Sequence, residues 1–252
     1  MRQPESERAI TRERYDAVLL DLDGVITDTA SVHAGCWKQM FDEYLQKRAT
    51  QRGEAFRSFD PATDYRLYVD GKPRFDGVRD FLTSRGIELP EGTPDDPPDA
   101  ETVGGLGNRK NELVNKVIEE RGVEPYEGSV KLIHQLRRRG FKIAVVTSSQ
   151  NCTTVLKAVK LDGFFDVQVD GNVTHTRQLR GKPAPDTFLM AAKLLGVEPT
   201  RAVVIEDALS GVEAGSTGGF GLVIGVARKG NAEELARHGA HLVVNDLGEL
   251  AD

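Results

Sequence analysis

Apolar residues along the chain fall into two alternating patterns: short unbroken runs, and longer segments with apolar positions at three- and four-residue spacing. The first run is Tyr15–Leu20 (YDAVLL), which passes directly into DLDGVITDT. Further runs are FKIAVVTS over 141–148, FDVQV over 165–169, RAVVIED over 201–207, LVIGV over 222–226 and HLVV over 241–244. Unbroken apolar runs this short predict parallel strands buried on both faces. Between them KLIHQLRRRG (131–140), NCTTVLKAVKLDG (151–163), PAPDTFLMAAKLLG (183–196), LSGVEAGSTGG (209–219) and NAEELARHG (231–239) predict helices. Strands separated by helices of this length need right-handed crossovers, so the expected architecture is α/β, a Rossmann-like core with a parallel sheet covered on both faces.

One stretch interrupts the alternation. VHAGCWKQMFDEYLQK (32–47) carries Val32, Cys36, Met40 and Tyr44 at helical spacing, and no return strand follows it. Short helices around a basic turn are expected through 56–86, ending in the helix GVRDFLTSRG with Gly86 as its stop. IELPEGTPDDPPDAETVGGLGN (87–108) reads as a loop on its Pro, Gly and acidic content, and NRKNELVNKVIEERG (108–122) as another helix. The expected organisation is a core of residues 1–29 and 126–252 with an inserted, mostly helical domain over 30–125.

Composition narrows the class without choosing a function. The 252 residues include 39 Asp and Glu against 33 Lys and Arg, a formal net charge of −6. That balance gives no general attraction to nucleic acid or to an anionic membrane, although an acidic protein still binds phosphate locally. No apolar run approaches a membrane span, and MRQPESERAITRERYD lacks the apolar core of a signal peptide, so a cytoplasmic location is expected. Cys36 and Cys152 form neither a disulfide framework nor a CxxC pair and read as core thiols. The oligomeric state is left open, a monomer being compatible with everything above.

The chemistry is expected at the C-terminal ends of the strands, where open parallel sheets bind ligands. Asp21 and Asp23 follow the first run, Thr147 the second, and Glu206 with Asp207 the RAVVI run. Crowded carboxylates repel, and an oxygen-only set of Asp and Glu suits a hard cation, magnesium above all. The competing reading has these acids capping the helices that follow. Lys182, in GKPAPDTF ahead of a helix, supplies the opposite charge; it reaches either a phosphoryl group or the carboxylate that attacks it, unless it is a plain surface lysine. No GxGxxG follows a strand and no GxxxxGK[ST] occurs, so dinucleotide and P-loop readings lack their fingerprint.

In order and spacing, DLDGVITDT, the strand ending at Thr147, GKPAPD and the Glu206–Asp207 pair resemble the four motifs of the haloacid dehalogenase superfamily of phosphotransferases. DLDGVITDTASVH with Trp37, and the Arg109–Lys110–Asn111 triplet, resemble more narrowly its β-phosphoglucomutase group. The resemblance implies Asp21 as nucleophile, forming an aspartyl-phosphate, and Asp23 as general acid and base. It implies a magnesium site from Asp21, the Asp23 backbone carbonyl, Asp207 and Glu206, the last directly or through water. Thr147 and Lys182 are the implied holders of the phosphoryl oxygens, with Ser148 and Ser149 as rival hydroxyls in the same turn. Thr29 is the implied partner of the acid and base, and His33 an aid to substrate or hinge contacts. Arg74, alternatively a solvated loop residue, is the implied anchor of a distal phosphate, assisted by Lys110 and Asn111.

The implied activity interconverts β-glucose 1-phosphate and glucose 6-phosphate through the 1,6-bisphosphate, with a small phosphorylated sugar as substrate. The alternatives are a phosphatase that uses the same acids but admits water, and a catalytically silent phosphate-binding fold. The segment AFRSFDPATDYRLY and the acidic stretch Glu91–Thr102 enlarge the helical insertion beyond the compact mutase pattern. The Asp96–Asp99 run is read as a solvated loop and not a metal site. His134, His175, His238 and His241 read as structural or surface residues.

Overall fold

The computed structural model describes residues 10–228 and 230–251. The first nine residues, on which part of the N-terminal reading rests, lie outside them. The chain divides into two compact units, one over Thr29–Gly122 and one comprising residues up to Asp28 and from Val123 onward. Relative to the expected boundaries, Thr29 falls in the helical unit and Val123–Pro125 in the other.

The second of these units is built on a six-stranded sheet of β1 (Ala17–Leu20), β2 (Lys142–Val146), β3 (Val167–Val169), β4 (Ala202–Glu206), β5 (Leu222–Val226) and β6 (Leu242–Val244), in the order β3-β2-β1-β4-β5-β6. All five pairings are parallel. β1 lies between β2 and β4, with Leu20 opposite both Val145 and Ile205, and each of its four residues is completely buried. This is why the runs read as continuous: both faces of the central strands are covered, so no position alternates toward water. The crossover helices are α4 (Glu127–Arg138), α5 (Cys152–Ala158), α6 (Gly171–Thr176), α7 (Asp186–Leu195), α8 (Leu209–Thr217) and α9 (Ala232–Arg237). The sequence reading contains no α6. Its N-terminus is made by Asp170, whose carboxylate accepts from the Asn172 and Val173 amides, a local cap that hydrophobic periodicity does not reveal.

The unit over 29–122 contains α1 (Ala30–Arg52), α2 (Arg74–Ser84), α3 (Val103–Arg121) and a π-helical turn at Tyr65–Val69, and no strand among the described residues. Its core is aromatic. Trp37 stacks on Phe41 at 5.2 Å, and Phe41 lies 4.1 Å from Phe81, which meets Phe59 edge-on at 5.0 Å. Phe59, in the enlarged segment, is therefore a core residue, and a buried Arg85–Asp64 ion pair at 2.5 Å fastens the same segment.

One expected loop is partly helical. VGGLG, read as the end of a loop, forms the first turn of α3, capped by the Thr102 hydroxyl on the Gly105 amide at 2.9 Å. A Cβ at Gly104 or Gly105 would collide with the carbonyl oxygens of Thr93 or Ala100, and one at Gly107 with the Phe75 ring. These glycines serve close packing against 93–100 and α2, so their composition misreads as flexibility. The acidic loop is tied down as well: Asn108 donates to the Pro94 and Asp96 carbonyls and Arg109 to that of Pro98. Of the run read as a solvated loop, Pro97 and Asp99 are exposed, whereas Asp96 is half-buried and accepts from the Thr93 and Thr102 hydroxyls at 2.7 and 2.5 Å.

Candidate active site

Within the sheet unit, three strand ends bring the expected residues together. Asp21 follows β1 directly, Thr147 follows β2, and Glu206 closes β4 with Asp207 next to it. The Asp21, Glu206 and Asp207 carboxylates are buried and offer oxygens that all lie within 4.8 Å of one another. Lys182 reaches into this cluster from the loop before α7. Its ammonium donates to Asp21 Oδ1 at 2.5 Å, to Glu206 Oε1 at 2.6 Å and to the Val146 carbonyl at 3.0 Å. An ammonium has three hydrogens, and here each has an acceptor. Of the two expected roles, the geometry therefore supports the one directed at the Asp21 carboxylate. With its side chain 1% exposed and its charge 4.9 Å from the Phe188 ring, Lys182 is no surface lysine.

Three carboxylates and one ammonium leave a formal excess of two negative charges in a buried site. Burial pushes the Asp21 carboxyl well above its usual range, against the pull of Lys182, and it raises Glu206 too. For Lys182 burial alone would depress the ammonium, yet the two adjacent carboxylates outweigh it and raise it above an ordinary lysine. An all-oxygen donor set with uncompensated negative charge fits a hard divalent cation. Glu206 is the most committed member, since Oε2 accepts from the Ala208 amide at 3.0 Å while Oε1 holds Lys182. The Asp23 side chain is outside this cluster, and the atom expected of it as a ligand was its backbone carbonyl.

Thr147 Oγ1 donates to Asp23 Oδ2 at 3.3 Å and accepts from the Ser149 amide at 3.1 Å. The Ser149 hydroxyl is instead used within the turn, accepting from Asn151 N at 3.1 Å, and Ser148 is half-buried beside it. Thr147 is thus bonded to the acid expected to serve as general acid and base. Gly24 holds the turn close, with φ +90°; a Cβ there would collide with the Asp207 carboxylate. Only glycine admits both the left-handed backbone and that approach.

The helical unit gathers the remaining residues. Thr29 is buried at the N-terminus of α1, and its carbonyl accepts from the His33 amide at 2.9 Å. Lys110, on α3 and 5% exposed, donates to His33 Nδ1 at 2.8 Å and lies 4.9 Å from the Trp37 ring. Because lysine has no acceptor, this contact places the histidine lone pair on Nδ1. Arg74 opens α2, donates to Asn108 Oδ1 at 2.8 Å and lies over the Phe75 ring at 4.7 Å. Its partial burial, which lowers the guanidinium from its usual value, sets aside the solvated-loop reading. Asn111 is half-buried next to Lys110. Three of the other histidines have structural contacts: His134 packs edge-on against Phe164, His241 Nδ1 accepts from the Val223 amide, and His238 Nδ1 lies 2.8 Å from the Glu234 carbonyl; His175 is exposed. Both cysteines are buried, and burial raises each thiol.

A family model described as haloacid dehalogenase-like hydrolase matches residues 15–219, a span that contains every group of the carboxylate and lysine cluster. The chain belongs to that family. It is 53% identical over 241 residues to a β-phosphoglucomutase of Mycobacterium tuberculosis, covering 94% of this chain and 92% of that one. It is 29% identical over 213 residues to a fructose-1-phosphate phosphatase of Escherichia coli, covering 84% and 96%. Among solved structures it resembles a β-phosphoglucomutase from Clostridium difficile, with a TM-score of 0.73, 25% identity and coverage of 94% and 93%.

Proposed function

We propose that the chain is a magnesium-dependent β-phosphoglucomutase, interconverting β-glucose 1-phosphate and glucose 6-phosphate through an aspartyl-phosphate and the 1,6-bisphosphate. The observation that carries the chemistry is the buried Asp21 carboxylate, held at Oδ1 by Lys182 beside Glu206 and Asp207. The choice of mutase rests on the 53% identity to a β-phosphoglucomutase along nearly the whole of both chains.

Oδ2 of Asp21 is the oxygen assigned to attack. Its lone pair forms the bond to phosphorus as the bond from phosphorus to the sugar oxygen breaks, and Asp23 gives its proton to the departing oxygen. In the return step a sugar hydroxyl gives its proton to Asp23 and takes the phosphoryl group, restoring the Asp21 carboxylate. Thr147, bonded to Asp23, orients that acid or gives its hydroxyl to a phosphoryl oxygen. Asp21, Asp207, the Asp23 carbonyl and Glu206, directly or through water, would hold magnesium, which when bound neutralises charge between the carboxylate and the phosphate. In the helical unit Arg74, Lys110 and Asn111 are assigned to the distal phosphate, His33 to substrate or hinge contacts, and Thr29 is assigned as the partner of the acid and base. A cytoplasmic location accords with a phosphorylated sugar as substrate; among the described residues, no helix is long and apolar enough to cross a membrane.

Asp21→Asn tests the assignment, because it removes the attacking charge with little change in volume. Isomerisation is expected to vanish while the circular dichroism spectrum is retained, and an active variant would overturn the nucleophile. The likeness to the fructose-1-phosphate phosphatase supports a second reading, hydrolysis of a sugar phosphate by the same acids.

A further inference from the structure

The Asp23–Gly24–Val25 turn is gripped from outside by residues with no part in the carboxylate cluster. Arg228, in the loop after β5, donates from Nε to the Gly24 carbonyl at 3.1 Å. Its Nη2 donates to the Ser129 hydroxyl at 3.4 Å, and that hydroxyl donates to the Val25 carbonyl at 2.6 Å. Two successive carbonyls of the turn are thus held by one linked pair of side chains. Ser129 is completely buried, on the first turn of α4.

The guanidinium is itself fixed. Nη1 pairs with Asp246 at 2.5 Å, and its carbon lies 3.6 Å from the centre of the Tyr126 ring. Asp246 is immobilised in a reciprocal capping box with Glu249, and it fits only because residue 128 is glycine, whose missing Cβ would collide with its Oδ1. Tyr126 is held in turn by its hydroxyl, which donates to Asp28 Oδ1 at 2.8 Å. A surface arginine has no need of four such contacts, and only a planar fork can make them together.

We infer that Arg228 is a positioning residue: through the Gly24 carbonyl, and through Ser129 on Val25, it fixes the turn that carries Asp23 and so aims the Asp23 carboxyl. The inference rests on the reading of Asp23 as acid and base. The turn has the left-handed Gly24 at its centre, so a released carbonyl lets the peptide plane rotate and moves the neighbouring side chain. Misplacement of an acid by about 1 Å costs about 100-fold in rate.

The test compares Arg228→Lys, Arg228→Ala and Ser129→Ala with wild type, using Asp23→Asn as a control. In amide nuclear magnetic resonance of the magnesium-free protein, the Asp23, Gly24 and Val25 signals are expected to shift or broaden in each variant while those of β5 stay in place. With β-glucose 1-phosphate and magnesium, turnover is expected to fall about 10- to 100-fold in Arg228→Ala, with KM little changed. Arg228→Lys recovers part of this, since an ammonium still reaches one carbonyl. Unmoved turn signals, or a loss shared equally between turnover and KM, would overturn the inference. Should Arg228→Ala fail to fold, Ser129→Ala and Arg228→Lys decide by the same criteria. A fully active Asp23→Asn with displaced turn signals would instead reject the role of Asp23 and leave the positioning intact.

Discussion

Replacing Lys182 with methionine keeps an unbranched side chain and removes the ammonium that three acceptors share. Asp21 and Glu206, with side chains 8% and 0% exposed, then stay buried without their counter-charge. Removing one partner of a buried ion pair costs about 3–5 kcal/mol, and a chain of this size loses about 2–4 °C in melting temperature per kcal/mol, so a fall of roughly 6–20 °C is expected. The pH dependence has a definite sign. Both carboxyls already stand above their unfolded values of 3.8 and 4.5, and without Lys182 they rise further. The folded variant then binds more protons than the unfolded chain, so its stability falls as pH climbs above those values. Thermal melts in EDTA between pH 5 and pH 8 are expected to show the deficit growing with pH, and added magnesium to recover part of it. A variant that melts with wild type at neutral pH, or a deficit that ignores both pH and magnesium, would refute the reasoning.

Three further outcomes follow from the same geometry. Gly24→Ala places a Cβ against the Asp207 carboxylate at a φ of +90°, and a magnesium titration of activity should show half-saturation raised about 10- to 100-fold, as for other losses of support around a metal site. Arg74→Ala is expected to abolish isomerisation while phosphate release persists; unchanged use of the bisphosphate would remove Arg74 from the distal site. Asp166 is lowered because the Ile143 amide and Arg137 outweigh its partial burial, so it stabilises the fold above its unfolded value and loses this as pH falls. With its side chain 36% exposed the effect is below about 1 kcal/mol, and urea midpoints of Asp166→Asn and wild type should differ at pH 7 and draw together as pH falls below the unfolded value of 3.8.

The parallel core is legible because the central strands are covered on both faces, which leaves the unbroken apolar runs at 17–20, 143–146 and 202–205. The same logic located the site, since acidic residues directly after such runs have only the C-terminal edge of the sheet to occupy. The start of α3 was misread because what its glycines accommodate, the carbonyls of Thr93 and Ala100 and the Phe75 ring, is set by tertiary packing. Arg228 carries no signal in the sequence for a related reason: the carbonyl it holds is 204 positions away, and that of Val25 is 104 from Ser129. Lys182 was expected near the phosphate or the nucleophile. The structure favours the nucleophile because three acceptors use up its donors.

The central claim is that this acid cluster transfers a phosphoryl group between sugar positions and keeps it from water. The most direct measurement supplies purified protein with magnesium, β-glucose 1-phosphate and a trace of β-glucose 1,6-bisphosphate, and follows glucose 6-phosphate and inorganic phosphate together. Fast formation of glucose 6-phosphate with little free phosphate is the expected result. Free phosphate without isomer, even with the bisphosphate supplied, would contradict it.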